Sequence, residues 1–216
     1  ARDLRLGHRS LVSAHFLEID DLTPAELRRV LDLSEVDEPP QVLKGSGAAL
    51  VFEKPSTRTR NSMELATVQL GGHPVYIRPE EVGIDTRESA EDVVRTLACY
   101  HSIVAARVFE HTKLERMAAC DVVPVVNLLS DDAHPMQALA DLLTIRQLFG
   151  DGGGVRVAYI GDANNVWRSL AIGCAMLGID TAVASPPGYT PAAADLDRVR
   201  ASGGEPLVTS RPAEAI

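Results

Sequence analysis

An α/β chain with two doubly wound parallel sheets is the fold class that the sequence predicts, and three observations carry it. Short aliphatic runs alternate with longer stretches whose apolar residues recur at helical spacing, from residue 48 to residue 209. Hydrophobic residues make up 45% of the 216 residues but aromatics only 4%, so the interior is aliphatic. The alternation halts once, at Gly150-Asp151-Gly152-Gly153-Gly154, and then restarts. That break predicts two domains, 1–150 and 151–216, in a chain long enough to bury a sizeable core.

Residues 1–13 are polar and carry little signal. Thr23-Pro24-Ala25-Glu26 is a capping box with proline at the first helical position, which predicts a helix from Pro24 with Leu27, Val30 and Leu31 on its buried face. It ends before Asp37-Glu38-Pro39-Pro40. A strand over 48–51 leads into Phe52-Glu53-Lys54-Pro55-Ser56-Thr57-Arg58-Thr59-Arg60, read as strand, tight turn and helix start. The helix over 59–70, with Met63, Ala66, Val68 and Leu70 mostly inward, stops at Gly71-Gly72. A strand follows over 73–77. The segment 79–87 has no apolar periodicity and reads as an exposed loop. Helix 88–100, strand 102–108, helix 112–120, strand 122–128 and helix 134–149 continue the alternation, which places helices on both faces of a parallel sheet. After the glycine run come strand 155–160, helix 166–178, strand 181–185, helix 191–201 and a short strand over 205–209.

A net charge of −9 argues against a broad basic surface for nucleic acid or anionic membrane. Positive charge is instead concentrated locally, at Lys54, Arg58 and Arg60. Cys99, Cys120 and Cys174 form neither a C-x-x-C pair nor a disulfide framework, so a reducing cytoplasm is expected. No N-terminal apolar segment for secretion and no apolar run of about eighteen residues is seen, so neither export nor membrane insertion is expected.

The stretch 52–60 organises the chain. Pro55 fixes its own φ and biases Lys54 toward an extended conformation, after which Ser56 and Thr57 sit where a helix has unpaired backbone N–H groups. The helix dipole, the hydroxyls of Ser56, Thr57 and Thr59, and the Arg58 guanidinium supply the donors of a phosphate site without the glycines of a Walker loop. A helix cap with incidental charge would use the same residues. Phe-x-Glu/Lys-x-Ser-Gly/Thr-Arg-Thr is, however, the carbamoyl-phosphate signature of the aspartate and ornithine carbamoyltransferases, and residues 52–59 match every fixed position. The chain resembles that family, and its opening does so too: His15-Phe16-Leu17, Asp21-Leu22-Thr23 and Leu43-Lys44-Gly45 recur in ornithine carbamoyltransferases.

Three further constellations extend the comparison. Arg107 ends a parallel strand, at the edge where open α/β sheets bind ligands, although an arginine snorkelling from a strand end would look the same. The resemblance of Arg107-Val108-Phe109 to the family's Arg-x-Phe implies contact with the carbonyl oxygen of carbamoyl phosphate. His134 and Gln137, three apart, share one face of a helix start; an imidazole donating to a carbonyl oxygen and a Gln carbonyl accepting from an NH2 would grip a carbamoyl group at both ends. Asp131, Asp132 and His134 supply no established metal-ligand spacing, and helix capping by the aspartates is the competing reading. Residues 134–145 reproduce the family's His-Pro-x-Gln and Leu-Ala-Asp-Leu-Leu-Thr-Ile, with Met136 where ornithine enzymes usually have Cys. Gly161-Asp162-Ala163-Asn164-Asn165-Val166 lacks the G-x-G-x-x-G of a dinucleotide loop, and turn chemistry alone would account for its Asp and Asn residues. It resembles Gly-Asp-x-Asn-Asn-Val of the ornithine enzymes, which implies that Asn165 contacts the amino-acid part of ornithine.

The resemblance implies transfer of a carbamoyl group from carbamoyl phosphate to the δ-amine of ornithine, giving citrulline and phosphate in arginine biosynthesis, with no cofactor and no metal. It assigns Arg58, Arg107 and His134 to catalysis, Ser56, Thr57, Arg58, Thr59, Arg107, His134 and Gln137 to carbamoyl phosphate, and Asn165 to ornithine. It also implies a homotrimer with shared sites. Residue 216 precedes the family's Asp-x-x-x-Ser-Met-Gly and His-Cys-Leu-Pro motifs, so the amino-acid domain over 151–216, and its sheet, are expected to be incomplete and the chain alone to turn over ornithine poorly. The rival readings are a carbamoyltransferase for another amine or amino acid and a non-catalytic carbamoyl-phosphate-binding protein.

Overall fold

The computed structural model describes residues 14–216; the polar opening, 1–13, lies outside the described residues. Two parallel sheets organise the chain. The first contains β1 (Gly47–Phe52), β2 (His73–Ile77), β3 (Ile103–Arg107) and β4 (Val125–Leu129) in the order β2-β1-β3-β4. The second contains β5 (Arg156–Ile160), β6 (Asp180–Ala184) and β7 (Leu207–Thr209) in sequence order, every neighbouring pair again parallel.

The aliphatic run 48–52 is buried throughout because β1 is an inner strand covered on both faces. Successive side chains of a strand point to opposite faces. Accordingly Ala49 and Val51 pack with Val93 and Val94 of α4 (Ala90–Ala98) and with Leu114 and Met117 of α5 (His111–Ala119). Leu50 and Phe52 pack on the other side with Met63 of α2 (Thr57–Gln69) and Met136 of α6 (Pro135–Phe149). A third cluster packs helices of the first part against the second sheet, through Leu27 and Leu31 of α1 (Pro24–Ser34), Leu142 of α6, Trp167 and Ile172 of α7 (Asn165–Leu177), and Val183 of β6. Helices α6 and α7 approach closely at Gly173, where a Cβ would lie 2.7 Å from Leu142 Cδ1.

The chain turns from β1 to β2 on one side and then returns to β3 on the other. The carboxyl ends of β1 and β3, paired at Phe52 and Arg107, therefore flank the point where strand order reverses, which is where open α/β sheets form ligand crevices.

The structure departs from the sequence reading in several places. Helix α2 begins at Thr57 with Ser56 as its cap, and Val68 lies outward at 56% exposure, because the inner line of the helix runs through Met63, Thr67 and Leu70. Segment 79–87 is not simply an exposed loop: it forms a one-turn helix α3 (Pro79–Val82) and buries Val82 and Ile84 under the first sheet. A single turn is too short to show periodicity. Strand β4 starts three residues later than expected, after Asp121 turns the chain with φ +47°. Further elements that the sequence did not suggest are a 3-10 turn, Ile19–Asp21, capped by Glu18, and a terminal turn α9 (Pro212–Ala215), while Phe16 pairs with Val126 beside β4. Helix α8 (Ala193–Ala201) starts two residues later than predicted.

Candidate active site

At the crevice, Ser56 adopts an extended conformation and its Oγ accepts from the Thr59 N–H at 3.3 Å, capping α2. The same hydroxyl donates to Thr59 Oγ1 at 3.0 Å, and that oxygen accepts from Arg107 Nη1 at 3.3 Å. The cap, the first helical turn and the end of β3 are thus one hydrogen-bonded unit. Ser56 covers the N–H of Thr59; the backbone N–H groups of Thr57 and Arg58 belong to the first turn, which has no intrahelical acceptor for them. The Thr57 side chain is exposed and does not line the cleft.

The cleft, about 360 Å³, brings together Ser56, Arg58, Thr59, Arg107, His134 and Gln137, with Met63, Leu128, Met136 and Ala140 as its apolar wall. Among the described residues two guanidinium groups and no carboxylate line it, an arrangement suited to an anion. Burial, with Arg58 nearby, pulls Arg107 below the ordinary guanidinium range, and its buried Nε has no partner among the described residues. His134 is held down to about 4 by burial and secondarily by Arg107, so its imidazole is neutral at pH 7, and its buried Nδ1 likewise has no partner among the described residues. Gln137 donates its Nε2 to Asp141 Oδ1 at 2.9 Å, which directs the Gln carbonyl away from that contact. Burial raises the Asp141 carboxyl.

The acid in the signature serves the scaffold. Glu53 Oε1 accepts from Lys113 Nζ at 2.8 Å and Oε2 from the Phe109 N–H at 3.0 Å, tying the turn after β1 to the segment after β3. Asp131 and Asp132 are also committed: Asp131 Oδ1 accepts from His111 N–H at 2.9 Å and so caps α5, not α6, while Asp132 pairs with Arg168.

Asn165 sits outside this cleft, in a neighbouring one of about 470 Å³ with Lys54, Phe109 and Asp131. Its Nδ2 donates to the Ser130 carbonyl at 2.6 Å. Asn165, Arg168 and Ser169 form one face of α7 and all three hold the loop that carries His134. Arg168 bonds both the carbonyl and the carboxylate of Asp132 and meets Asp195 Oδ1 at 2.6 Å; Ser169 Oγ accepts from the His134 backbone N–H at 2.9 Å. Behind Ser169, its hydroxyl donates to Glu18 at 2.9 and 3.1 Å to the two carboxylate oxygens. Burial pushes the Glu18 carboxyl up to about 7. From within the first unit, Asn127 Nδ2 donates to the Leu17 carbonyl at 2.9 Å and Ser130 Oγ faces His111 Nδ1 at 2.7 Å. None of Glu18, Asn127, Ser130, Asp141 and Ser169 was singled out from the sequence. Asp141 lies within the Leu-Ala-Asp-Leu-Leu-Thr-Ile stretch, and Glu18 left a local trace as the residue before Ile19-Asp20-Asp21 in a capping pattern.

Two family models match the chain. Residues 14–147 match "Aspartate/ornithine carbamoyltransferase, carbamoyl-P binding domain" and residues 153–216 match the corresponding "Asp/Orn binding domain". Among curated relatives, an ornithine carbamoyltransferase of Haloquadratum walsbyi is 43% identical over 94% of the chain and 69% of the relative. One from Thermus thermophilus is 46% identical over 90% of the chain and 66% of the relative. Two solved structures are similar: ornithine carbamoyltransferase from Thermus thermophilus, with TM-score 0.86, 43% identity, 94% of this chain and 71% of that one, and the Pyrococcus furiosus enzyme, with TM-score 0.88, 36% identity, 94% and 69%. The chain spans about two thirds of the length of the relatives that it matches.

Proposed function

Because the chain belongs to the aspartate/ornithine carbamoyltransferase family, we propose that it serves transfer of the carbamoyl group of carbamoyl phosphate to the δ-amine of ornithine, yielding citrulline and phosphate. The observation that carries this reading is the convergence of Arg58, Thr59, Arg107, His134 and Gln137 on one cleft at the point where strand order reverses. The start of α2 holds the phosphate, bound and departing, through the backbone N–H groups of Thr57 and Arg58, the hydroxyls of Ser56 and Thr59, and the Arg58 guanidinium. Arg107 and His134 take the carbonyl oxygen. A neutral imidazole still donates one N–H, and donors set in advance around a developing oxyanion stabilise it without reorganising. Gln137, its NH2 held by Asp141, accepts from the carbamoyl NH2. The unprotonated δ-amine attacks the carbonyl carbon, the C–N bond forms, the C–O bond to phosphate breaks, and the amine proton leaves to solvent or phosphate.

Asn165 is the residue assigned to the amino-acid part of ornithine, supported by its motif and by its cleft beside Lys54. The same reading divides the chain into a carbamoyl-phosphate domain, 1–150, and an amino-acid domain, 151–216. It makes the assembly a homotrimer with shared sites, supported by the family and by the apolar patch of Leu65 and Val68 on the outer face of α2. It also places the reaction in the cytoplasm and in arginine biosynthesis. No helix among the described residues is long and apolar enough to cross a membrane.

Carbamoyl phosphate labelled in its carbon, offered with ornithine and with a panel of other amines, tests the assignment. Label appearing in citrulline at any rate above the uncatalysed one supports it, label in another carbamoylated amine changes the acceptor, and carbamoyl phosphate binding with no transfer to any amine above the uncatalysed rate overturns the transferase reading.

A further inference from the structure

The contact between Ser169 and the His134 backbone joins two parts of the chain that the proposed chemistry uses separately. His134 is the N-cap of α6, and its side chain makes no cap bond to that helix, while its backbone N–H is held from another helix. Ser169 does the holding from α7, completely buried, as acceptor for the His134 N–H at 2.9 Å. A hydroxyl rotates freely unless its own proton is directed. Here the proton is directed at Glu18, 4% exposed, at 2.9 and 3.1 Å, which turns a lone pair of the Ser169 oxygen toward His134. Glu18 is itself fixed by accepting from the Ile19 N–H at 2.6 Å, within a turn whose Asp21 accepts from the Glu18 N–H at 3.0 Å. The order of the chain is therefore anchor, oriented hydroxyl, then the residue that faces the carbonyl oxygen.

We propose that Ser169, oriented by Glu18, is a positioning residue for His134, setting the height of the α6 terminus so that His134 and Gln137 meet the carbamoyl end of the ligand. This rests on the reading of the cleft given above. A second consequence follows from the placement of Ser169 on the helix that also carries Asn165. Any displacement of α7 moves the carbonyl donor and the amino-acid contact together, which keeps the electrophile and the attacking amine in register.

The test is calorimetric binding of carbamoyl phosphate and of inorganic phosphate to the 216-residue chain and to S169A, E18A and E18Q. Loss of one buried hydrogen bond acting through His134 is expected to weaken carbamoyl phosphate about five- to tenfold in S169A and E18A, with inorganic phosphate nearly unchanged. E18Q keeps a carbonyl acceptor for the Ser169 hydroxyl and is expected to restore most of the selectivity. A purely structural role would weaken both ligands alike and would not distinguish E18Q from E18A. S169A removes a single oxygen, so it serves even if E18A does not fold. A parent chain that binds neither ligand overturns the functional reading and this proposal with it. A parent that binds carbamoyl phosphate, with S169A equal to it or equally weakened for both ligands, overturns the positioning role alone.

Discussion

His134 lies beside Arg107 in a site that disfavours a third positive charge, and this decides its chemistry. Held down to about 4 by burial and then by Arg107, the imidazole is neutral over the physiological range and acts as a fixed donor, not as an acid that titrates with its surroundings. Substituting His134 by Gln should therefore lower affinity for carbamoyl phosphate by a factor that stays constant between about pH 6 and 8. A factor that changes steeply across that range would show that the imidazole titrates in the site. Arg58 is a different case, exposed and reaching into the cleft. Its removal in Arg58→Ala deletes a charge-assisted contact to phosphate and should cost about 2–4 kcal/mol for carbamoyl phosphate and inorganic phosphate alike. Gln137→Ala, by contrast, should weaken carbamoyl phosphate only, because Gln137 stands on α6 with His134, at the carbamoyl end, and the phosphate is held at the start of α2. Calorimetry with both ligands on both variants separates the two roles.

Among the elements, helix α7 does the most work across the chain. Its face of Asn165, Arg168 and Ser169 holds the His134 loop, and its Gly173 lets α6 approach. A Val at 173 would place side-chain atoms where Leu142 now sits, so Gly173→Val should destabilise the fold by about 1–3 kcal/mol, read from the urea midpoint. An unchanged midpoint would mean that α6 yields more easily than the packing suggests. Helix α5 shows another kind of dependence. Its N-cap Glu110 makes no side-chain cap, and Asp131 supplies the acceptor from the loop after β4. Asp131→Ala should cost about 1 kcal/mol of stability and leave carbamoyl phosphate affinity nearly unchanged, since the residue does not line that cleft.

At the scale of the molecule, buried Glu18 and half-buried His134, in the same hydrogen-bonded chain, titrate in opposite senses. Glu18, raised from 4.5 to about 7 by burial, contributes stability that is fully present below pH 4.5 and is lost as pH rises toward 7. His134, lowered from 6.5 to about 4, contributes stability present above pH 6.5 and lost as pH falls toward 4. The Glu18 swing is at most about 3 kcal/mol. The two offset each other through pH 4.5–6.5, so the parent should show a shallow dependence there. In E18Q the compensation is gone, and stability should fall visibly on acidification from pH 7 to 5. Chemical denaturation of parent and E18Q at those two pH values measures it; parallel profiles would rule out an ionising Glu18 in the fold.

Much of this was legible in the amino-acid order because its cause is local. The capping box at Thr23, the strand–turn–helix of 52–60, the Arg107 strand end and the shared face of His134 and Gln137 all lie within a few residues, where periodicity and capping leave a pattern. The parallel α/β architecture followed from the same alternation. What only the tertiary structure decided is which groups stand behind those residues. Glu18 and Ser169 are 151 positions apart, Asn165 and Ser130 are 35 apart, and Asp131 caps a helix that begins 20 positions earlier. Such pairs are set by how α6 and α7 pack and where the chain reverses strand order, and a contact made by packing imposes no spacing rule on the sequence that encodes it. The neutrality of His134 belongs with them, because it comes from burial and from Arg107 at the end of β3, neither of which is in place until the chain has folded.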